Sequence, residues 1–182
     1  YGMANYGYFL SKGAPGLRRD INQSLKYYKI SSDLGCNVAL ASLGVCYRDG
    51  IGIQKDVKTA IKYFELSIEE GYPNAAYILG TLLINGDEES SLKPNPKEGL
   101  KYIQYAADHG NINAMYLFAY YMYYKRYIEM DVDLLKKYIK DGIDSGYPPC
   151  MRLYGIILMA GDVLPINKYK GAGYIKKAAD LN

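Results

Sequence analysis

The residues that could do chemistry are few and badly placed for it. The chain of 182 residues has one histidine, His109, and it stands directly before Gly110. Nucleophilic catalysis needs a Ser, Cys or Lys beside a base, and the base in turn oriented by a third group. A lone histidine at a helix end supplies a partner for the last carbonyls of that helix instead. Cys36, Cys46 and Cys150 are three thiols with no recurring interval and no neighbouring ligand at metal-site spacing, so they read as small buried apolar residues. Glu69-Glu70 and Glu88-Glu89 are adjacent carboxylates that point in different directions. Gly50-Ile51-Gly52 lacks the third glycine and the preceding strand that a phosphate-binding loop requires. No nucleophile, base and oxyanion donor can be assembled. The expectation is no enzyme, with no catalytic, cofactor-binding or metal-binding residue.

The elements behind those residues repeat. Gly7, Gly44, Gly80 and Gly155 recur with gaps of 37, 36 and 75 residues, and Ala119 divides the last gap into 39 and 36. A second column follows six residues later at Gly13, Gly50, Gly86, Lys125 and Gly161, and a third at Gly35, Gly71, Gly110 and Gly146. A fixed period of this length marks units that bury their apolar faces only against their neighbours.

Each unit reads as two helices. Tyr27, Tyr63, Tyr102, Tyr138 and Tyr174 are each preceded, seven residues earlier, by Asp20, Asp56, Asn95, Asp131 or Asn167. Asp and Asn are preferred N-caps, because the side-chain oxygen accepts from a first-turn amide that lacks a partner. The small residues Ser31, Ser67, Ala106, Gly142 and Ala178 stand one turn after each tyrosine and let a neighbouring helix come close. The third glycine column fits a helix C′ residue with positive φ.

The first helix of each unit, helix A, carries an apolar stripe at offsets −5, −1 and +3 from the first column, as in Ala39, Leu43 and Tyr47. Residues four apart share one face of an α-helix. Pro73 and Pro148 suit a first turn.

From Ala39 to Gly71 the unit reads A-x3-L-G-x2-Y-x2-G-x-G-x3-D-x3-A-x2-Y-F-x6-G. This resembles the Sel-one-like repeat of the tetratricopeptide-like helical superfamily, and the pattern covers nearly the whole chain in five copies. The tetratricopeptide period of 34 and its tryptophan fit less well, since the steps here are 36 or more and Trp is absent. Copy three has three extra residues around Asp87 to Pro96, read as a surface loop, and copy four has Ala119 and Lys125 where the others have glycine. The resemblance implies an all-α fold, a right-handed α-solenoid of about five helix-loop-helix repeats. We expect a single array over residues 1–182, with repeats at approximately 1–35, 36–71, 72–110, 111–146 and 147–182. The start at Tyr1 rather than Met, and the stop just past the fifth copy, read as a piece of a longer chain. Secreted cysteine-rich relatives are stapled once per repeat; that pattern is missing here, which favours a reducing, cytoplasmic compartment.

Charge excludes some partners. The formal net charge is +3, and Lys26, Lys62, Lys101 and Lys137 are spread along the second helix rather than clustered, as a nucleic-acid groove requires. No apolar run reaches the roughly 18 to 20 residues that span a bilayer.

What remains is a surface. Offsets −3, +1 and +4 form a second stripe on helix A, opposite the core stripe, that changes from copy to copy. It holds Tyr77, Thr81 and Ile84, then Tyr116, Tyr120 and Tyr123, then Arg152, Ile156 and Met159. Tyr and Arg are frequent interface anchors. The expected function is a protein-interaction scaffold or adaptor that takes a peptide or helix of a protein partner on the concave helix A surface, centred on copies three to five. Relatives suggested by the resemblance assemble complexes for membrane-protein degradation, cell-wall synthesis or signalling. Two alternatives stay open: an architectural part of a large filament or complex, and a regulatory region attached to an enzyme elsewhere in the parent chain.

Overall fold

The computed structural model describes residues 2–181 and is all helix apart from one isolated antiparallel bridge, Asp87 to Leu92. Ten helices follow one another: α1 (Gly2–Lys12), α2 (Ile21–Asp33), α3 (Asn37–Asp49), α4 (Val57–Glu69), α5 (Pro73–Asn85), α6 (Pro96–Asp108), α7 (Ile112–Tyr123), α8 (Val132–Asp144), α9 (Pro148–Ala160) and α10 (Lys168–Asp180). Odd numbers are helix A of each copy and even numbers helix B. Contacts divide the chain into two compact units, residues 1–99 and 100–182.

All five expected caps form. Asp20, Asp56, Asn95, Asp131 and Asn167 accept from the amides of Gln23, Thr59, Glu98, Leu134 and Lys170 at 2.9 to 3.3 Å. These bonds satisfy amides that the helix cannot, and each such cap stabilises its helix by about 1 kcal/mol. At the other end of helix B, Gly35, Gly71, Gly110 and Gly146 have φ of 74°, 77°, 87° and 75°, the left-handed conformation that closes a helix.

In the first unit, α1 packs on α2 and α3 on α4 through the glycine column. A Cβ on Gly44 would lie 2.6 Å from the Phe64 ring, and one on Gly7 would lie 3.0 Å from that of Tyr28. Phe64 and Tyr28 each follow the tyrosine column by one residue and are buried, whereas Tyr63 and Tyr27 are half-buried. The core position of helix B is therefore shared between two adjacent columns. The inserted loop of copy three is closed by reciprocal amide bonds between Asp87 and Leu92, 2.9 Å each. Lys55 holds it from outside, with Nζ 2.9 Å from Asp87 and 2.6 Å from Glu89.

In the second unit, Tyr138 is fully buried, its ring edge-on to Phe118 and its hydroxyl donating to Asp108 at 2.7 Å. Burial first, then that bond to a carboxylate, drives the Tyr138 phenol well above its ordinary range. Gly142 on α8 faces Cys150 on α9: a Cβ there would overlap Cys150 Sγ. In copy four Lys125 takes φ of 49° at the position where the other copies have glycine, and Tyr127 takes 67°. The turn is thus kept without the residue that makes it easy. No helix among the described residues is long and apolar enough to cross a membrane.

Candidate functional site

The residues with potential chemistry sit in packing. Burial pushes the Cys46 thiol up to about 11, with Asp49 adding to the effect, and burial pushes that of Cys150 up to about 12. Such thiols stay protonated and are poor nucleophiles at neutral pH. All three cysteines are free, and Cys36 is half-buried. His109 donates from Nδ1 to the Tyr105 carbonyl at 2.8 Å, and its ring stacks on Tyr105 with centroids 4.0 Å apart. Among the described residues no group of His, Cys, Asp or Glu is arranged to hold a metal.

The variable stripe of helix A divides between the units. In the first, α5 carries Tyr77 and Thr81, both half-buried, and the Thr81 hydroxyl is turned back onto the Ile78 carbonyl at 2.8 Å. Ile84 is only 6% exposed, and its Cγ1 lies 2.6 Å from where a Cβ on Gly99 would be. The physical reason is local: Gly99 lets the end of α5 and the start of α6 touch, and Ile84 fills that contact rather than the surface.

In the second unit the stripe forms an aromatic patch on α7. Tyr116 and Tyr120 lie one turn apart with ring centroids at 6.0 Å, and Tyr120 continues to Tyr124 at 4.6 Å and Tyr121 at 6.0 Å. Tyr123 meets Tyr124 at 4.9 Å and donates to the Asp162 carboxylate at 3.3 Å. Burial, then the Asp162 charge, raises the Tyr123 phenol. Tyr147, at the start of α9, joins Tyr116 edge-on at 6.2 Å and donates to Asn113 at 2.7 Å. On α9, Arg152 is exposed, Ile156 half-buried and Met159 41% exposed above Gly171. Tyr116, Tyr120 and Tyr123 are thus joined into one surface with Tyr121, Tyr124, Tyr127 and Tyr147, which stripe arithmetic alone did not collect. The tyrosine pairs at 120–121 and 123–124 were the available signal. Such rings bury large area at low entropic cost while keeping a polar end in water.

A family model described as the Sel1 repeat matches residues 1–36, 37–72, 73–111 and 148–182. Among solved structures, a Sel1 repeat protein from Oxalobacter formigenes is 26% identical with a TM-score of 0.85, the match covering 99% of this chain and 72% of that one. An immunity protein from Pseudomonas aeruginosa is 23% identical with a TM-score of 0.63, covering 98% and 65%. A protective antigen of uropathogenic Escherichia coli with an SLR fold is 20% identical with a TM-score of 0.57, covering 98% and 45%. The last two likenesses speak for the fold alone, and this chain spans about two thirds or less of those two proteins. A search of curated protein sequences finds no match. The fold class is the all-α solenoid of helix-loop-helix repeats expected from the sequence. The matched segments leave out residues 112–147, the copy that holds eight of the 22 tyrosines.

Proposed function

Because the chain belongs to the Sel1 repeat family, whose members generally act as protein-interaction scaffolds, we propose that it is a non-catalytic scaffold whose partner docks on the tyrosine surface of α7 and the adjoining face of α9. The observation that carries this is a coincidence of departures. The one copy passed over by the family model also concentrates the joined tyrosines and holds two non-glycine residues at left-handed φ. Conformational strain of this kind costs on the order of 1 kcal/mol or more per residue and is retained where surrounding structure or function fixes it. Arg152, Ile156 and Met159 extend the surface with one cation and two apolar side chains. Tyr77 and Thr81 are the corresponding contacts of the first unit, and Ile84 serves packing.

A photo-reactive benzophenone side chain placed at Tyr120, with a second at exposed Lys58 of the first unit as control, tests the reading in the whole protein. Cross-links to one protein from position 120 and none from 58 are expected. Alanine at Tyr116 and Tyr120 then weakens that complex by on the order of 2 kcal/mol with the melting temperature unchanged. A melting loss of the same size with unaltered binding reassigns both residues to the core. Cross-links to several proteins from both positions mark an architectural part instead.

A further inference from the structure

A second surface lies on the helix B side of the second unit, away from the tyrosine stripe. Between α8 and α10 runs a cleft of about 400 Å³ floored by Ile139, Ile143, Tyr154 and Tyr174. The two tyrosines meet edge-on with centroids 4.9 Å apart, and both are half-buried, so their free edges form part of the cleft wall.

The rim is cationic. Lys136 and Lys140 stand on the α8 side, and Lys170 reaches over the Tyr154 ring from α10 with Nζ 5.9 Å from its centroid. Lys136 has only a long 3.9 Å approach to Asp133, whose side chain is 99% exposed. Lys140 and Lys170 have no ion-pair partner among the described residues. One acid, Asp144, shares the rim. Charge is also uneven along the chain: residues 1–99 carry eleven basic and eleven acidic side chains, whereas residues 100–182 carry eleven basic and eight acidic. The whole excess of +3 therefore belongs to the unit with the cleft.

An apolar floor beside ammonium groups that are unpaired, or in Lys136 only distantly paired, is complementary to a chain with the opposite pattern. We infer that this cleft docks an acidic peptide, an apolar or aromatic side chain seated against Tyr154 and Tyr174 and carboxylates meeting Lys136, Lys140 and Lys170. A nucleic acid fits less well. Its backbone needs a continuous run of cations, whereas Lys136 and Lys140 alternate with Ile139 and Ile143, Asp144 interrupts the rim, and Lys170 stands apart over Tyr154. Rim ion pairs of this type set specificity and encounter rate and are screened by salt, while the buried anchor supplies most of the affinity.

The test uses the full chain and fluorescence anisotropy with a labelled decapeptide of Glu and Asp around a central Leu-Phe. Binding is expected to weaken about tenfold in the Lys136→Glu, Lys140→Glu, Lys170→Glu variant, which keeps wild-type circular dichroism because all three ammonium groups lie in solvent. A peptide with Lys at the acidic positions is expected to gain affinity for that variant. Alanine at Tyr116 and Tyr120 leaves the peptide's affinity within twofold, which separates this surface from the α7 site. The inference is overturned if charge reversal changes affinity less than twofold, or if a Gln and Asn version of the peptide binds as well. It is equally overturned if single-stranded oligothymidylate binds more tightly with the same lysine dependence.

Discussion

Replacing Gly142 by alanine tests how neighbouring repeats are fitted together. The four junctions between successive copies pair Ser31 with Ala39, Ser67 with Ala75, Ala106 with Ala114, and Gly142 with Cys150, always eight residues apart. The last pair exchanges volume: the helix B residue loses its Cβ and the helix A residue gains a sulfur. A Cβ on residue 142 would stand 2.9 Å from Cys150 Cβ and overlap Sγ, in a site where Cys150 is 0% exposed. Overpacking of this kind costs about 1 to 3 kcal/mol, offset by up to ~1 kcal/mol of helix propensity gained on leaving glycine. Gly142→Ala is therefore expected to destabilise by about 1 to 2 kcal/mol. Cys150→Ala empties a sulfur-sized space and costs about 1 kcal/mol. The double variant recreates the alanine pair of the preceding junction and is expected within about 0.5 kcal/mol of the starting protein, a coupling of about 2 kcal/mol. Urea unfolding by circular dichroism measures the cycle, with hydrogen exchange on α8 and α9 to localise it, since stability in repeat arrays is a sum of neighbour terms. Additive effects within 0.5 kcal/mol, or a Gly142→Ala protein as stable as the original, would refute the volume exchange.

Two further outcomes follow from the loops. Lys125 at φ of 49° pays for a missing glycine, so Lys125→Gly is expected to raise stability by roughly 0.5 kcal/mol and Lys125→Val to lower it by about 1 kcal/mol or more, read as opposite shifts in melting temperature. The hydrogen bond from Lys55, followed by the Ser90 amide and hydroxyl, holds the Asp87 carboxyl down to about 2. An unfolded Asp titrates near 3.9, so as pH falls the unfolded chain takes up this proton first. Its contribution is complete above about pH 4 and disappears between roughly 4 and 2. Asp87→Asn should flatten the fall in urea midpoint over that window, and an unchanged slope would show that the Lys55 clasp does not hold the loop.

Much of the architecture was legible because a repeat writes the same local physics five times. A cap, a tyrosine and a closing glycine at constant offsets mark the two ends and one face of helix B, and all five caps formed as read. Such features are set within one turn of the chain, where spacing alone decides which groups meet. The division of the helix B core between neighbouring columns was not legible, since Tyr27 and Tyr28 differ only in which side of the helix faces Gly7. Ile84 shows the same limit: its offset placed it on the variable stripe, but a glycine fifteen residues later drew it into packing.

By itself, then, the order of residues determined helix boundaries, the pairing of A with B and the family to which the repeat belongs, because these depend on contacts within a few residues. Only the folded chain decided which tyrosines of copy four share a surface, that Lys125 keeps a glycine's conformation, and that two lysines of α8 line an apolar cleft while a third, from α10, reaches over the Tyr154 ring of its wall. Each of those brings together groups from separate helices or turns, and no periodicity along a single element records how such parts meet in space.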